Sequence, residues 1–162
     1  MNLRQLSPDD LSLYRHLRLE AVSADSRTLI TTPDEERHKA DGDVMKMLTE
    51  HCVLAAFDGD EALGMATLER HAGERRNHVA EVCWVFVSPK HRRRGIAKTL
   101  MAAIEEHAKN ANIECVELHV VSDNSSAIAM YQQLGYTQYG ILPKAVKIES
   151  SYSDGIYMAK MI

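Results

Sequence analysis

The stretch that most constrains this chain is residues 79–101, AEVCWVFVSPKHRRRGIAKTLM with the valine before it. Residues 79–87 are rich in β-branched and aromatic side chains and read as a strand. Ser88-Pro89 ends it, because proline has no N–H for a ladder and restricts the residue before it. The next five residues, 90–94, include four Lys or Arg. Gly95-Ile96-Ala97 then opens a helix whose apolar residues Ile96, Leu100, Ala103 and Ile104 recur at helical spacing. The first N–H groups of a helix have no partner inside it, and a glycine there lets a ligand approach the backbone. Partial positive charge at the helix start, with arginines beside it, makes an anion site suited to a phosphate or pyrophosphate. A basic turn on its own is usually only solvated. The order strand, arginines, small residues, helix is what sets this one apart. It is neither a G-x-G-x-x-G dinucleotide fingerprint nor a G-x-x-x-x-G-K-[ST] P-loop.

The rest of the chain limits what can be built around that block. Its 162 residues are enough for one domain with a real core, so a single domain over 1–162 is expected. A net charge of −4 disfavours general nucleic-acid binding. No apolar run approaches the ~18 residues of a membrane span, and MNLRQLSPDD lacks the apolar core of a signal peptide. Cys52, Cys83 and Cys115 are widely spaced in apolar runs, the pattern of reduced core residues in a cytoplasmic protein. The histidines form no HExxH pattern, and no metal site is expected.

Residues 2–6 read as a first strand, and Ser7-Pro8 as the start of a helix reaching about Ala24. Thr32-Pro33-Asp34-Glu35 starts a second helix that the pattern carries to about Thr49. Residues 51–58 and 62–71 are strands joined by Asp58-Gly59-Asp60-Glu61, and a second turn at 73–77 leads into the strand at 79–87. Strand alternation places Glu81, Cys83, Val85 and Val87 on one face. Residues 113–121 form the next strand, with Glu117 and His119 on a shared face. Asp123 or Asn124 can cap a short amphipathic helix with Ala127, Ile128, Met130, Tyr131 and Leu134, which Gly135 ends. Residues 136–140 and 155–161 read as the last strands, with 141–154 as a loop between them.

Two motifs carry a resemblance. Arg92-x-x-Gly95-x-Ala97 after a strand ending in Val-x-Pro resembles the acetyl-CoA signature of the GCN5-related N-acetyltransferases, the GNAT superfamily. Asn124, Ala127, Tyr131, Gly135 and Tyr136 match its second cofactor motif, N-x-x-A-x-x-x-Y-x-x-x-G-[FY]. The resemblance implies an α/β (α+β) fold around a mixed, mostly antiparallel sheet of about seven strands, splayed centrally and flanked by helices. It implies that backbone groups of Val85, Phe86 and Val87 hold the pantetheine arm. Arg92, Arg93, Arg94, Gly95, Ile96, Ala97 and Lys98 would hold the pyrophosphate, and Asn124 would bond the arm. Tyr131 would protonate or steady the departing thiolate.

Glu81 stands where the histone-acetylating branch carries its base. His119 stands where the branch acetylating protein N-termini often carries a glutamate, and a histidine can itself be a base. Glu117 is a weaker candidate on the same face. Either residue can instead be an ordinary surface group of its strand. Arg15, Arg18 and Glu20 on the first helix, and Tyr152 and Asp154 near the end, are candidate acceptor contacts or plain surface groups. The expected activity is acetyl transfer from acetyl-CoA to a primary amine of a small molecule, by direct attack in a ternary complex. A protein lysine or N-terminal acetyltransferase, or a non-catalytic acyl-CoA sensor, are the alternatives. Many members are dimers, so a homodimer is among the expectations.

Overall fold

The computed structural model describes residues 1–24 and 29–162. Seven strands form one sheet in the order β1-β2-β3-β4-β5-β7-β6. They are β1 (Asn2–Gln5), β2 (Cys52–Asp58), β3 (Glu61–Arg70), β4 (Val79–Val87), β5 (Cys115–Val121), β6 (Thr137–Ile148) and β7 (Ser151–Met161). All neighbours are antiparallel except β4 and β5, which are parallel. The helices are α1 (Leu11–Ala24), α2 (Pro33–His38), α3 (Asp41–Glu50), α4 (Ile96–Asn110) and α5 (Ser125–Gln133). No helix among the described residues is long and apolar enough to cross a membrane.

Each face of the sheet has its own core. Ile96, Leu100 and Ile104 of α4 pack with Ala80, Val82, Val116 and Leu118 on one face. Tyr14 and Leu17 of α1 pack with Val44 and Leu48 of α3 over Val53, Met65 and Phe86 on the other. The parallel pair runs only from Val79↔Cys115 to Glu81↔Glu117, and beyond Glu81 the two strands part. The sheet therefore opens at its middle, in the place the motif strand leads toward.

A bulge in β4 changes what faces the opening. Met65 pairs with Phe86 but Thr67 pairs with Cys83, so Trp84 and Val85 together oppose Ala66. Trp84 takes a φ of 55°, a left-handed conformation uncommon for a bulky residue. The alternation reverses there. Ala80 and Val82 belong to the α4 core, Phe86 belongs to the α1 core, and Val85 and Val87 pack against the α4 core. The expectation that Glu81, Cys83, Val85 and Val87 share a face is thus corrected: the first two lie on the α1 face, the last two on the α4 face. Just beyond the bulge β3 runs close to β4, and a Cβ on Gly64 would collide with the Phe86 carbonyl.

Two further expectations change. The helix expected over 33–49 is two helices, because Lys39 and Ala40 are extended (ψ 130° and 143°). Arg15 Nη2 donates to the Lys39 carbonyl at 2.6 Å, taking the acceptor that the broken helix leaves free. The loop expected over 141–154 is instead the end of a long hairpin, β6 and β7 turning at Glu149-Ser150. Pro143 is tolerated because β6 is the edge strand, where a missing N–H faces outward. The pairing is irregular there, between Leu142 and Val146.

Candidate active site

A cavity of about 410 Å3 lies where the strands part. Val85, Phe86 and Val87 form one side. Arg92, Arg93, Gly95, Ile96, Ala97 and Lys98 form the second, and Asn124 and Tyr131 the third. Of the residues named as cofactor contacts only Arg94 is absent from this lining. Its guanidinium turns to His91 Nδ1 (3.1 Å) and Asp58 (3.7 Å) instead. Ala127, already a position of the second motif, and Met130 of the same helix also line the cavity, with His91 and Ser126, which were not singled out from the sequence. Ala127 lies four residues before Tyr131 and three before Met130, so helical spacing puts it beside both.

The backbone around this cavity is arranged for an anion. Arg93 (φ 61°) and Gly95 (φ 79°) both take left-handed conformations, and Gly95 caps α4 without any side-chain hydrogen bond. The N–H groups of the first α4 turn are therefore left without an internal partner or cap. Arg92 Nε donates to the Val87 carbonyl at 3.1 Å, tying the loop to the strand end. Lys98 Nζ donates to Gln133 Oε1 at 2.8 Å, tying α4 to α5. Asn124 Oδ1 accepts the Ala127 N–H at 3.2 Å, so the motif asparagine caps α5.

Tyr131 is 7% exposed and lines both this cavity and a smaller one of about 110 Å3. Burial pushes its phenol up, so it keeps its proton at neutral pH. The smaller cavity is bounded by Leu29, Cys83, Trp84 and His119. His119 pairs with a second candidate base: its Nδ1 lies 2.7 Å from Glu81 Oε1. A carboxylate oxygen only accepts, so Nδ1 carries the hydrogen and a neutral His119 presents Nε2 as its lone pair. The hydrogen bond from His119 holds the Glu81 carboxyl below its usual range, against the opposing effect of burial. The same bond raises His119 above the ordinary imidazole value, again against burial. Cys83 Sγ donates to Glu69 Oε1 at 3.2 Å, and burial followed by that carboxylate pushes the thiol up. It is therefore a neutral thiol, not a nucleophile.

The remaining candidates separate. Glu117 is occupied by His71 (2.6 Å), Tyr139 (3.0 Å) and Arg76 (3.3 Å). Arg15 is engaged with Asp41 and the Lys39 carbonyl. Glu20 accepts from Ser88 Oγ at 2.5 Å. Arg18 is buried against Trp84, with its guanidinium carbon 3.0 Å from the ring centre. Asp154 Oδ1 accepts the Lys144 N–H at 2.8 Å and serves the hairpin. Tyr152 is exposed beside Lys144 and Lys147.

The sequence model of the acetyltransferase (GNAT) family matches residues 14–136. The L-amino acid N-acetyltransferase AaaT of Escherichia coli is 32% identical over 110 residues, 67% of this chain and 67% of that protein. The mycothiol acetyltransferase of Corynebacterium efficiens is 33% identical over 85 residues, 52% of this chain. That match spans only 27% of the relative's length. The fold superposes on a phosphinothricin acetyltransferase from Sinorhizobium meliloti solved with acetyl-CoA. Its TM-score is 0.83 at 18% identity, covering 99% of this chain and 88% of that one.

Proposed function

The chain belongs to the GNAT acetyltransferase family, and from that premise we propose that it transfers an acetyl group from acetyl-CoA to the primary amine of a small molecule. The observation that carries this reading is the junction at Tyr131. One side chain lines both a cavity suited to a long anionic ligand and a pocket lined by His119, whose ring is hydrogen-bonded to Glu81.

The residues present fit the donor. The uncapped start of α4 and Arg93 suit its diphosphate. Beyond Glu81 the edge of β4 has no paired strand, which suits an extended pantetheine arm. Acetyl-CoA would supply the reactive thioester. An amine at neutral pH is mostly ammonium and must lose a proton before it attacks. His119 Nε2 accepts that proton, directly or through a water, while Glu81 holds the ring and balances its charge. The two titrate as one coupled base. With Cys83 held as a neutral thiol, the amine nitrogen itself attacks the thioester carbonyl. Free N–H groups along Val85–Val87 polarise that carbonyl. The Tyr131 hydroxyl then donates to the departing sulfur. The similarity to an L-amino acid N-acetyltransferase supports a small acceptor.

Release of the CoA thiol, followed against a panel of amines, amino acids and peptides, tests the reading. Turnover on small primary amines is expected. Turnover confined to peptides would transfer the activity to protein substrates, and binding without any turnover would make the chain an acyl-CoA sensor.

A further inference from the structure

On the α1 face the helices cover only part of the sheet. The core there draws on β2, β3 and β4, and among the described residues it takes none from β5, β6 or β7. Across those three strands runs a row of rings. His119 of β5 is the cross-strand partner of Tyr157 of β7, and their ring centres are 6.0 Å apart. Tyr139 of β6 follows, 6.1 Å from Tyr157, where the pairing shifts between Gln138 and Gly140. Its hydroxyl donates to Glu117 Oε2 at 3.0 Å, which orients the ring. Leu142, opposite Gly155, closes the far end. A Cβ on Gly155 would come within 3.7 Å of the Tyr157 ring and 3.9 Å of Leu142, and would collide with Ala145, so the glycine keeps the floor of the row clear. Tyr139 is 58% and Leu142 48% exposed.

The row lies outside both cavities and adjoins the smaller one through His119, which lines it. Glu81 on β4 and Tyr157 on β7 flank His119 from opposite sides of β5. With Nδ1 turned to Glu81, Nε2 is turned away from β4. A substituent on an amine held at Nε2 therefore has the Tyr157 ring as its neighbour on that side. Charge does not select what lies there, because Glu81 is met by His119, and Glu117 by His71 and Arg76. An open ring face gains little from a cation that stays hydrated. A flat apolar group gains more, since it buries ring area and can stack edge-to-face or offset on the tyrosines.

We infer that the acceptor is an arylalkylamine, a primary amine joined by a short alkyl chain to an uncharged aromatic ring, and that Tyr157 and Tyr139 receive that ring. The assignment deepens the amine-acceptor reading above and rests on it. Tyr157 is the nearer contact, because it stands against the base. Glu117 is a positioning residue that holds Tyr139 through its hydroxyl.

The test compares phenethylamine with propylamine and diaminobutane, each measured by thiol release with saturating acetyl-CoA. The wild-type protein should favour the aromatic amine over both by about tenfold or more in kcat/KM, about 1.4 kcal/mol. Tyr157→Ala should raise KM for the aromatic amine about tenfold and bring it level with propylamine, while Tyr157→Phe, which keeps the ring, should keep the preference. Tyr139→Ser, at an exposed position, should reduce the preference about threefold. Equal or better use of propylamine or the diamine by the wild type would overturn the assignment, as would a preference that survives both Tyr157→Ala and Tyr139→Ser. A change of assembly by gel filtration in Tyr139→Ser, with the preference intact, would overturn it as well and make the row a contact between copies. Acetylation of no small primary amine would overturn the amine-acceptor reading itself, and this assignment with it.

Discussion

The two sides of β4 are built by opposite means. On the α4 face the cavity proposed for the donor is made from backbone: an uncapped helix start, two left-handed residues and an unpaired strand edge. Its charged side chains mostly brace the frame, Arg92 to Val87 and Lys98 to Gln133. On the α1 face the packing around Trp84 is made from side chains, Arg18 of α1 with Glu36 and Lys39 from α2 and its end. A frame of backbone depends on no one side chain, whereas a single substitution can rewrite a cluster of them. The side-chain cluster should therefore be sensitive to single changes, and the backbone-built cavity resistant to them.

The largest effect is expected on the sensitive side. Arg18→Ala leaves the buried Glu36 with only Lys39 among the described residues, 3.4 Å away and partly exposed, and should cost about 3 kcal/mol, read from urea denaturation. Replacing both with apolar residues, as Arg18→Met with Glu36→Leu, should recover most of that loss. A loss under about 1 kcal/mol for the single change would mean the cluster is not held by this pair.

Next comes the junction. Tyr131→Phe should lower kcat about 100-fold while leaving acetyl-CoA affinity within about twofold by calorimetry. Unchanged turnover would remove its hydroxyl from the chemistry. Glu81→Gln should lower kcat/KM about tenfold and move the rising limb of the pH–rate profile to lower pH. The sign follows from the hydrogen bond: the carboxylate raises His119, so its removal lets the imidazole fall back toward ~6.5. A limb that stays in place would assign the base to another group. The smallest effects belong to the donor cavity. Arg93→Ala should weaken acetyl-CoA binding a few-fold and Arg94→Ala less, since Arg94 faces Asp58 and His91. Equal losses would erase the distinction.

The same difference explains what could be read from the chain. The bounds of β4 and the start of α4 follow from Pro89 and Gly95, residues whose backbone restrictions act locally. Asn124 and Gly135 punctuate α5 in the same way. The donor lining was legible for that reason, except at Arg94, where side-chain direction decided. The side-chain cluster was not. Arg18 and Glu36 are eighteen residues apart on different helices, and either alone reads as a surface charge. The helix break at Lys39-Ala40 falls just before Asp41-Gly42, a weak local signal, and Arg15 accompanies it by reaching the Lys39 carbonyl. The bulge at Trp84 likewise leaves no local trace, yet it turns Glu81 and Val85 to opposite faces. Glu81 and His119 were separately visible as strand residues. Their pairing came from the short parallel register of β4 and β5, which only the folded sheet defines.

The most direct test of the whole account is calorimetric titration of the wild-type protein with acetyl-CoA, with free thiol followed in the same sample before and after adding an amine. The account predicts saturable binding to one site per chain, little thiol release at first, and prompt release once a small primary amine is present. Absence of saturable binding would contradict the assignment of the donor cavity, and with it the transfer reaction built on that cavity.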